Sequence, residues 1–280
     1  MKSWFTSTNQ EEKELAAFSD KPLSFASVQV PYEFMTEGGC LDSPSESSSL
    51  SCLQSFRTWL SRQPDEEDTR FLCELVDQLL ESVKDEKSRF IQFDAPLSLI
   101  ITASRYNRST DSPSCRIRQL YIAQCDIRDL PAPLREDFPT PKLISEVGKG
   151  DLYGSSIWLG LQHTYTPLHR DPNPNLFYQL VGSKVVRIME PEKGLTVFRD
   201  VHERLGTRGN SRFRGPEMMD GPERDGLHRA VWDDPDPSAS IWQGILGPGD
   251  ALFIPKGWWH SFKSVGQAAE LNASANWWFR

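Results

Sequence analysis

The stretch TPLHRDPNPN, residues 166–175, decides how the rest of the chain is read. In an extended segment residues two apart point to the same face, so His169 and Asp171 face one side and Arg170 the other. Pro172 and Pro174 then end regular pairing, as at a strand end where a site opens. A second stretch, GDALFIPKGWWH at 249–260, ends on His260, 91 positions after His169. Gly249-Asp250 reads as a turn, Ala251–Ile254 as a strand and Pro255-Lys256-Gly257 as another turn. On the strand that follows, Trp258, His260 and Phe262 share a face.

Each part alone has a plain alternative. An HxD pair also serves as a surface ion pair, and a His among aromatics as a core histidine. Together they make two imidazoles and one carboxylate, a set that leaves coordination positions open and suits a non-haem Fe(II) oxygenase. The strand KVVRIM, after the Gly182-Ser183 turn, places Lys184, Val186 and Ile188 on one face. An ammonium pointing into an apolar barrel is costly unless it meets an anion. Oxygenases that use 2-oxoglutarate need such a cation for its distal carboxylate; the reversed register would put Lys184 in solvent instead. Asn175, Phe177 and Gln179 share a face of the preceding strand, and Ser274, Asn276 and Trp278 a face of the last one. Their polar groups suit carboxylates or a substrate, and an Asn at a strand end also serves as a cap.

Around these stretches, short runs rich in branched and aromatic residues alternate with Gly, Pro or Asn at 155–162, 176–181, 184–190, 241–246, 250–254, 258–263 and 271–279. Such punctuation predicts an antiparallel sandwich or barrel. The pattern lapses at 191–240, an insertion that is either a cover over a barrel mouth or a solvated loop. Upstream, 1–20 could form a short amphipathic helix, 23–34 reads as extended and the Ser-rich stretch 43–51 as a linker. Phe71, Leu72, Leu75, Val76, Leu79, Leu80 and Val83 recur at helical spacing. Leu97–Ser104 and Ile117–Gln124 read as strands. The expected organisation is an N-terminal helical flank, 1–95, and a catalytic barrel, 96–280.

Composition narrows the function. All five His, seven of nine Trp and 16 of 18 Gly follow residue 140, and all five Cys precede it. A net charge of −8 argues against non-specific nucleic-acid binding, which needs a basic face. No apolar run approaches the roughly 18 residues of a membrane span. The first residues lack the pattern of a secretory signal. Cys40, Cys52, Cys73, Cys115 and Cys125 form no CxxC, so reduced thiols in an intracellular protein, cytoplasmic or nuclear, are expected.

The ordered series LYIAQ (120–124), LP…P (130–139), TPLHRDPNPN, the Gly182/Lys184 pair, GDALFIPKGWWH and NWWF (276–279) resembles the JmjC-domain proteins of the cupin superfamily over Ile117–Arg280. The likeness is greater to the small JmjC hydroxylases than to the multidomain histone demethylases. It implies a mainly β fold with flanking helices, a double-stranded β-helix (jelly-roll) barrel. By position, it implies that His169, Asp171 and His260 bind Fe(II), and that Lys184, with Tyr121 and Thr166, holds the distal carboxylate of 2-oxoglutarate. Asn175 and Asn276 would line the end near the metal and the other carboxylate, and Trp278 would flank the substrate. The implied reaction uses O2 and 2-oxoglutarate to hydroxylate a C–H bond of a protein side chain, modified nucleoside or small metabolite, releasing succinate and CO2. Histone lysine demethylation and a catalytically silent cupin binding module are the alternatives; a homodimer is also compatible.

Overall fold

The computed structural model describes residues 4–6, 16–36, 48–84, 89–147, 149–207, 219–236 and 240–280. Its strands are β1 (Phe5–Thr6), β2 (Ala17–Phe18), β3 (Gln29–Met35), β4 (Phe90–Pro96), β5 (Leu120–Asp126), β6 (Leu152–Leu161), β7 (Tyr165–Arg170), β8 (Asn175–Val181), β9 (Ser183–Met189), β10 (Trp242–Leu246), β11 (Ala251–Ile254), β12 (Trp259–Val265) and β13 (Leu271–Phe279). The helices are α1 (Asp20–Leu23), α2 (Ser49–Leu60), α3 (Glu67–Lys84), α4 (Ser98–Ser109), α5 (Ala132–Arg135), α6 (Lys142–Glu146), α7 (Pro191–Leu205) and α8 (Pro222–His228).

A seven-stranded sheet runs β11-β8-β13-β6-β5-β3-β4 and a four-stranded sheet β10-β9-β12-β7, every neighbouring pair antiparallel. From β6 to β9 the chain changes sheet at every strand, and it does so again from β10 to β13. That alternation is the jelly-roll winding the sequence predicts, and it makes a mainly β molecule with flanking helices. Gly182, with φ of 67°, turns β8 into β9, a conformation that favours glycine.

The main core lies between the large sheet and the N-terminal helices. Leu72, Val76, Leu79 and Leu80 of α3 are buried, as their spacing predicts, whereas Phe71 lies off that stripe and is exposed. α4 corrects the strand expected at Leu97–Ser104. Its β-branched run, Ile100 and Ile101, resembles a strand, yet Leu99, Ile100, Ile101, Ala103 and Tyr106 are all buried, as in a helix packed on several sides. The strand lies just upstream, in β4. The second expected strand, Ile117–Gln124, begins instead at Leu120 and runs to Asp126.

Three further expectations change. Of residues 1–20, 5–6 and 17–18 pair as strands, helix begins only at Asp20, and 1–3 and 7–15 lie outside the described residues. Of the Ser-rich stretch, 43–47 lie outside the described residues. Ser48 accepts a hydrogen bond from Ser51 N–H and caps α2, so the serines there start a helix. The flank expected over 1–95 also supplies β3 and β4 to the large sheet, β3 pairing with β5, so the boundary at 95 does not separate helices from barrel.

Within 191–240, α7, α8 and a π-helical turn at Arg229–Asp233 replace the loop alternative; 208–218 and 237–239 lie outside the described residues. Val197, Phe198, Val201, Leu227 and Val231 form a small core with Leu168, Met189 and Trp259 of the four-stranded sheet. Among the described residues no helix is long and apolar enough to cross a membrane.

Candidate active site

His169 lies next to the end of β7 and His260 near the start of β12, and the two are paired across the strands with ring centroids 4.2 Å apart. Asp171 follows one residue beyond β7. Its Oδ1 lies 3.9 Å from His169 Nε2 and its Oδ2 3.6 Å from His260 Nε2. Among the described residues these three form the one His/Cys/Asp/Glu group whose ligand atoms all lie within 4.8 Å of one another.

The other ring nitrogens fix the tautomers. His169 Nδ1 lies 2.9 Å from the Pro167 carbonyl and His260 Nδ1 3.2 Å from the Trp258 carbonyl. A carbonyl only accepts, so each Nδ1 is a donor, and in the neutral ring that leaves each Nε2 lone pair directed toward Asp171. Two imidazole lone pairs and a carboxylate converging on one point call for a cation, and backbone carbonyls behind metal-ligating histidines are the usual supports. The donor set therefore fits an Fe(II) ion.

Burial opposes ionisation of Asp171, but nearby His260 and His169, with hydrogen bonds from Trp278 and Asn175, outweigh it and hold the carboxyl below its ordinary range. Asn175 Nδ2 donates to Asp171 Oδ2 at 2.8 Å and Asn276 Nδ2 to Asn175 Oδ1 at 3.3 Å.

Deeper in the barrel, Lys184 is 3% exposed. Its ammonium donates to Ser274 Oγ at 3.1 Å and Tyr121 Oη at 3.5 Å, and lies 5.8 and 5.6 Å from the ring centroids of Tyr121 and Phe177. The inward register of KVVRIM is thus the one adopted, and neutral oxygens and aromatic faces hold the cation at the cavity wall.

One cavity of about 290 Å³ joins the two ends. It is lined by all nine residues singled out in the sequence: His169, Asp171, His260, Lys184, Tyr121, Thr166, Asn175, Asn276 and Trp278. Gln179, on the same strand face as Asn175, is fully buried and donates instead to the Val181 and Gly182 carbonyls and Asn272 Oδ1, closing the barrel end. His202 and His228 bond within the helical insertion, to Thr207 and Asp233.

Sequence reasoning passed over Trp158, which lines the cavity and donates from Nε1 to Asn276 Oδ1 at 2.8 Å. The signal was present: in β6, Gly154, Ser156, Trp158 and Gly160 alternate with Ile157, Leu159 and Leu161, which marks Trp158 as facing away from the main core. Tyr153, Gln124 and Asn173 at the rim carried no such pattern.

Comparison with known proteins agrees with this geometry. The sequence profile of the cupin-like domain matches residues 60–280. Over 161 residues the chain is 29% identical to lysine-specific demethylase 8 of Danio rerio, covering 57% of this chain and 36% of that protein. It is 30% identical over 162 residues to Jumonji C domain-containing protein 5 of Drosophila melanogaster, covering 56% and 36%. With lysine-specific demethylase JMJ30 of Arabidopsis thaliana it shares 26% identity over 188 residues, covering 64% and 38%. The matches span little more than a third of each relative's length. With the profile extending over most of the chain and the converging His169, Asp171 and His260 inside the barrel, the protein belongs to the cupin-like domain family and is of its JmjC type.

Proposed function

We propose that the protein is an Fe(II)- and 2-oxoglutarate-dependent oxygenase that hydroxylates a C–H bond of a protein side chain, modified nucleoside or small metabolite. The observation that carries this reading is the single cavity onto which the His169/Asp171/His260 group and the buried Lys184 ammonium both open. His169, Asp171 and His260 would hold the iron, and Lys184, with Tyr121 and Thr166, the distal carboxylate of 2-oxoglutarate. When bound, the iron with 2-oxoglutarate and O2 supplies the oxidising power, and succinate and CO2 are released.

The chain's own contribution is positional. The Pro167 and Trp258 carbonyls accept from the Nδ1 atoms and so aim both Nε2 atoms at the site, and Asn175 and Trp278 orient the Asp171 carboxylate by hydrogen bonds. Lys184 supplies a charge-assisted hydrogen bond to a carboxylate at the closed end, away from bulk water. Phe177 and Phe262, with ring centroids 4.6 Å apart, make part of the wall apolar. Trp158, Trp278 and Tyr153 surround the part that remains for the primary substrate. The thiols of Cys52, Cys73, Cys115 and Cys125, which form no disulfide among the described residues, support an intracellular setting.

The test is anaerobic binding of Fe(II) and 2-oxoglutarate, then succinate release on admitting O2. Binding of both with succinate release is expected; a protein that takes up no iron at neutral pH overturns the proposal. The second reading, lysine demethylation, is supported by the names of the demethylases that the chain resembles. Formaldehyde formed in step with succinate from methyl-lysine peptides would favour it. A gain of one oxygen atom in a captured substrate, without formaldehyde, supports hydroxylation.

A further inference from the structure

Four side chains form one hydrogen-bonded line beside the candidate metal site: Trp158 Nε1 to Asn276 Oδ1 at 2.8 Å, Asn276 Nδ2 to Asn175 Oδ1 at 3.3 Å, and Asn175 Nδ2 to Asp171 Oδ2 at 2.8 Å. The direction of this line is set by its ends. An indole N–H only donates, so the atom of Asn276 that meets it must be the amide oxygen. That leaves the Asn276 NH2 for Asn175, whose oxygen accepts it, and the Asn175 NH2 for Asp171. The other end has the same polarity, with the Asn175 NH2 donating to the Asp171 carboxylate.

An amide is close to symmetric in shape, and sterics alone choose its orientation poorly. Asn175 and Asn276 are 4% and 3% exposed, so bulk water has little access to compensate for a wrong choice. With either amide reversed, two buried oxygens would face each other at the carboxylate or between the amides, the costly arrangement for buried polar groups. Trp158 removes the ambiguity. Its own ring is held on β6, where the residue pairs with Ser274, and packs 6.0 Å from the Tyr121 ring.

We propose that Trp158 is a positioning residue for the metal-ligating carboxylate, acting through Asn276 and Asn175 to keep a donor on Asp171 Oδ2. The inference rests on the metal-site reading above and extends it to a residue that is no ligand. Loss of the indole N–H lets the amide pair reverse and leaves the carboxylate with one directional support fewer. Outer partners of metal ligands change metal affinity by about 10–100-fold. Trp158, two links removed, is expected at the lower end of that range.

The test uses Co(II) as the probe, with the metal-free full chain. Trp158→Phe should raise the Co(II) dissociation constant about 10-fold and alter the visible absorption of bound Co(II), while the melting temperature of the metal-free protein changes little. Asn276→Ala cuts the same line and should give a similar loss. The double variant should be no weaker than either single one, because both interrupt one relay. Dissociation constant and spectrum unchanged in Trp158→Phe overturn the inference while leaving the metal site intact. So does a double variant whose loss equals the product of the two single losses. A wild-type protein that binds no Co(II) overturns the metal-site reading and this inference together. If Trp158→Phe does not melt cooperatively, Asn276→Ala, which retains the Trp158 ring, decides by the same affinity and spectrum.

Discussion

Tyr121 and Gly160, paired across β5 and β6, are in such close approach that a β-carbon at position 160 would lie 2.2 Å from Tyr121 Cδ2. The absence of a side chain is what allows the ring to cross the neighbouring strand and bring its hydroxyl 3.5 Å from Lys184. Gly160→Ala should therefore swing Tyr121 away from the ammonium. The expected result is a several-fold rise in KM for 2-oxoglutarate with a smaller change in kcat, measured by succinate formation. An unchanged KM would show that Tyr121 does not contribute at that end.

Lys184→Met retains most of the buried volume and removes the charge. Hydrogen bonds to charged groups contribute about 1.5–3 kcal/mol, so 2-oxoglutarate affinity should fall about 10–100-fold. Titration of the iron-loaded protein under anaerobic conditions reads this directly. Iron affinity should stay near the wild-type value, since the Lys184 ammonium donates to Ser274 and Tyr121, which are not among the three converging side chains.

Metal binding should stabilise the fold, because His169 and Asp171 at the end of β7 and His260 on β12, 91 positions after His169, are brought together only in the native state. At a free Fe(II) or Co(II) concentration 100 times the dissociation constant, the gain should be about 2.7 kcal/mol, seen as a higher melting temperature. His260→Ala should abolish that gain, and EDTA should reverse it in the wild type. A metal-dependent rise that survives in His260→Ala would place the ion elsewhere.

Alkaline pH should weaken the fold through Cys125. Burial pushes its thiol up to about 12, with the Asp129 and Asp126 charges adding to the effect; the ordinary value is 9.0. Between these values the unfolded chain has released a proton that the native state still holds, so stability falls as pH rises from about 9 toward 12. At pH 11 the Cys125 contribution amounts to about 2–3 kcal/mol. Burial raises the Tyr32 and Tyr165 hydroxyls as well, which adds to the loss in the same direction. Urea midpoints at pH 8 and pH 11 should differ less in Cys125→Ala than in the wild type, and equal differences would remove Cys125 from the account.

How much was legible beforehand depended on whether a local pattern carried the information. The strands of the barrel were readable because alternation and Gly or Pro punctuation coincide, as in KVVRIM after Gly182. The convergence of His169, Asp171 and His260 was readable because two of the three lie two residues apart in an extended segment. α4 was misread because Leu97, Leu99, Ile100, Ile101 and Ala103 form a short apolar run broken only by Ser and Thr, and such a run gives no clear period from which to choose helix or strand. The contribution of β3 and β4 was hidden for a different reason. Their pairing partners lie tens of residues away, and no local feature of Gln29–Met35 announces β5 as its neighbour. The role argued for Trp158 depends on an ordered line of donors and acceptors, which only a three-dimensional arrangement reveals.

The place of β3 in the large sheet bears on how the chain can be shortened. The cupin-like profile begins at residue 60, after β3 and before β4. β3 stands between β4 and β5, so a protein trimmed to the profile would strand β4 without a neighbour and leave the edge of β5 bare. Leu120, Tyr121 and Ile122, which pair with β3, would then lie along an open apolar edge, the kind of surface on which chains add to one another. Shortening the N-terminus to isolate the chemistry would thus invite aggregation through the same strand that carries Tyr121 to the cavity.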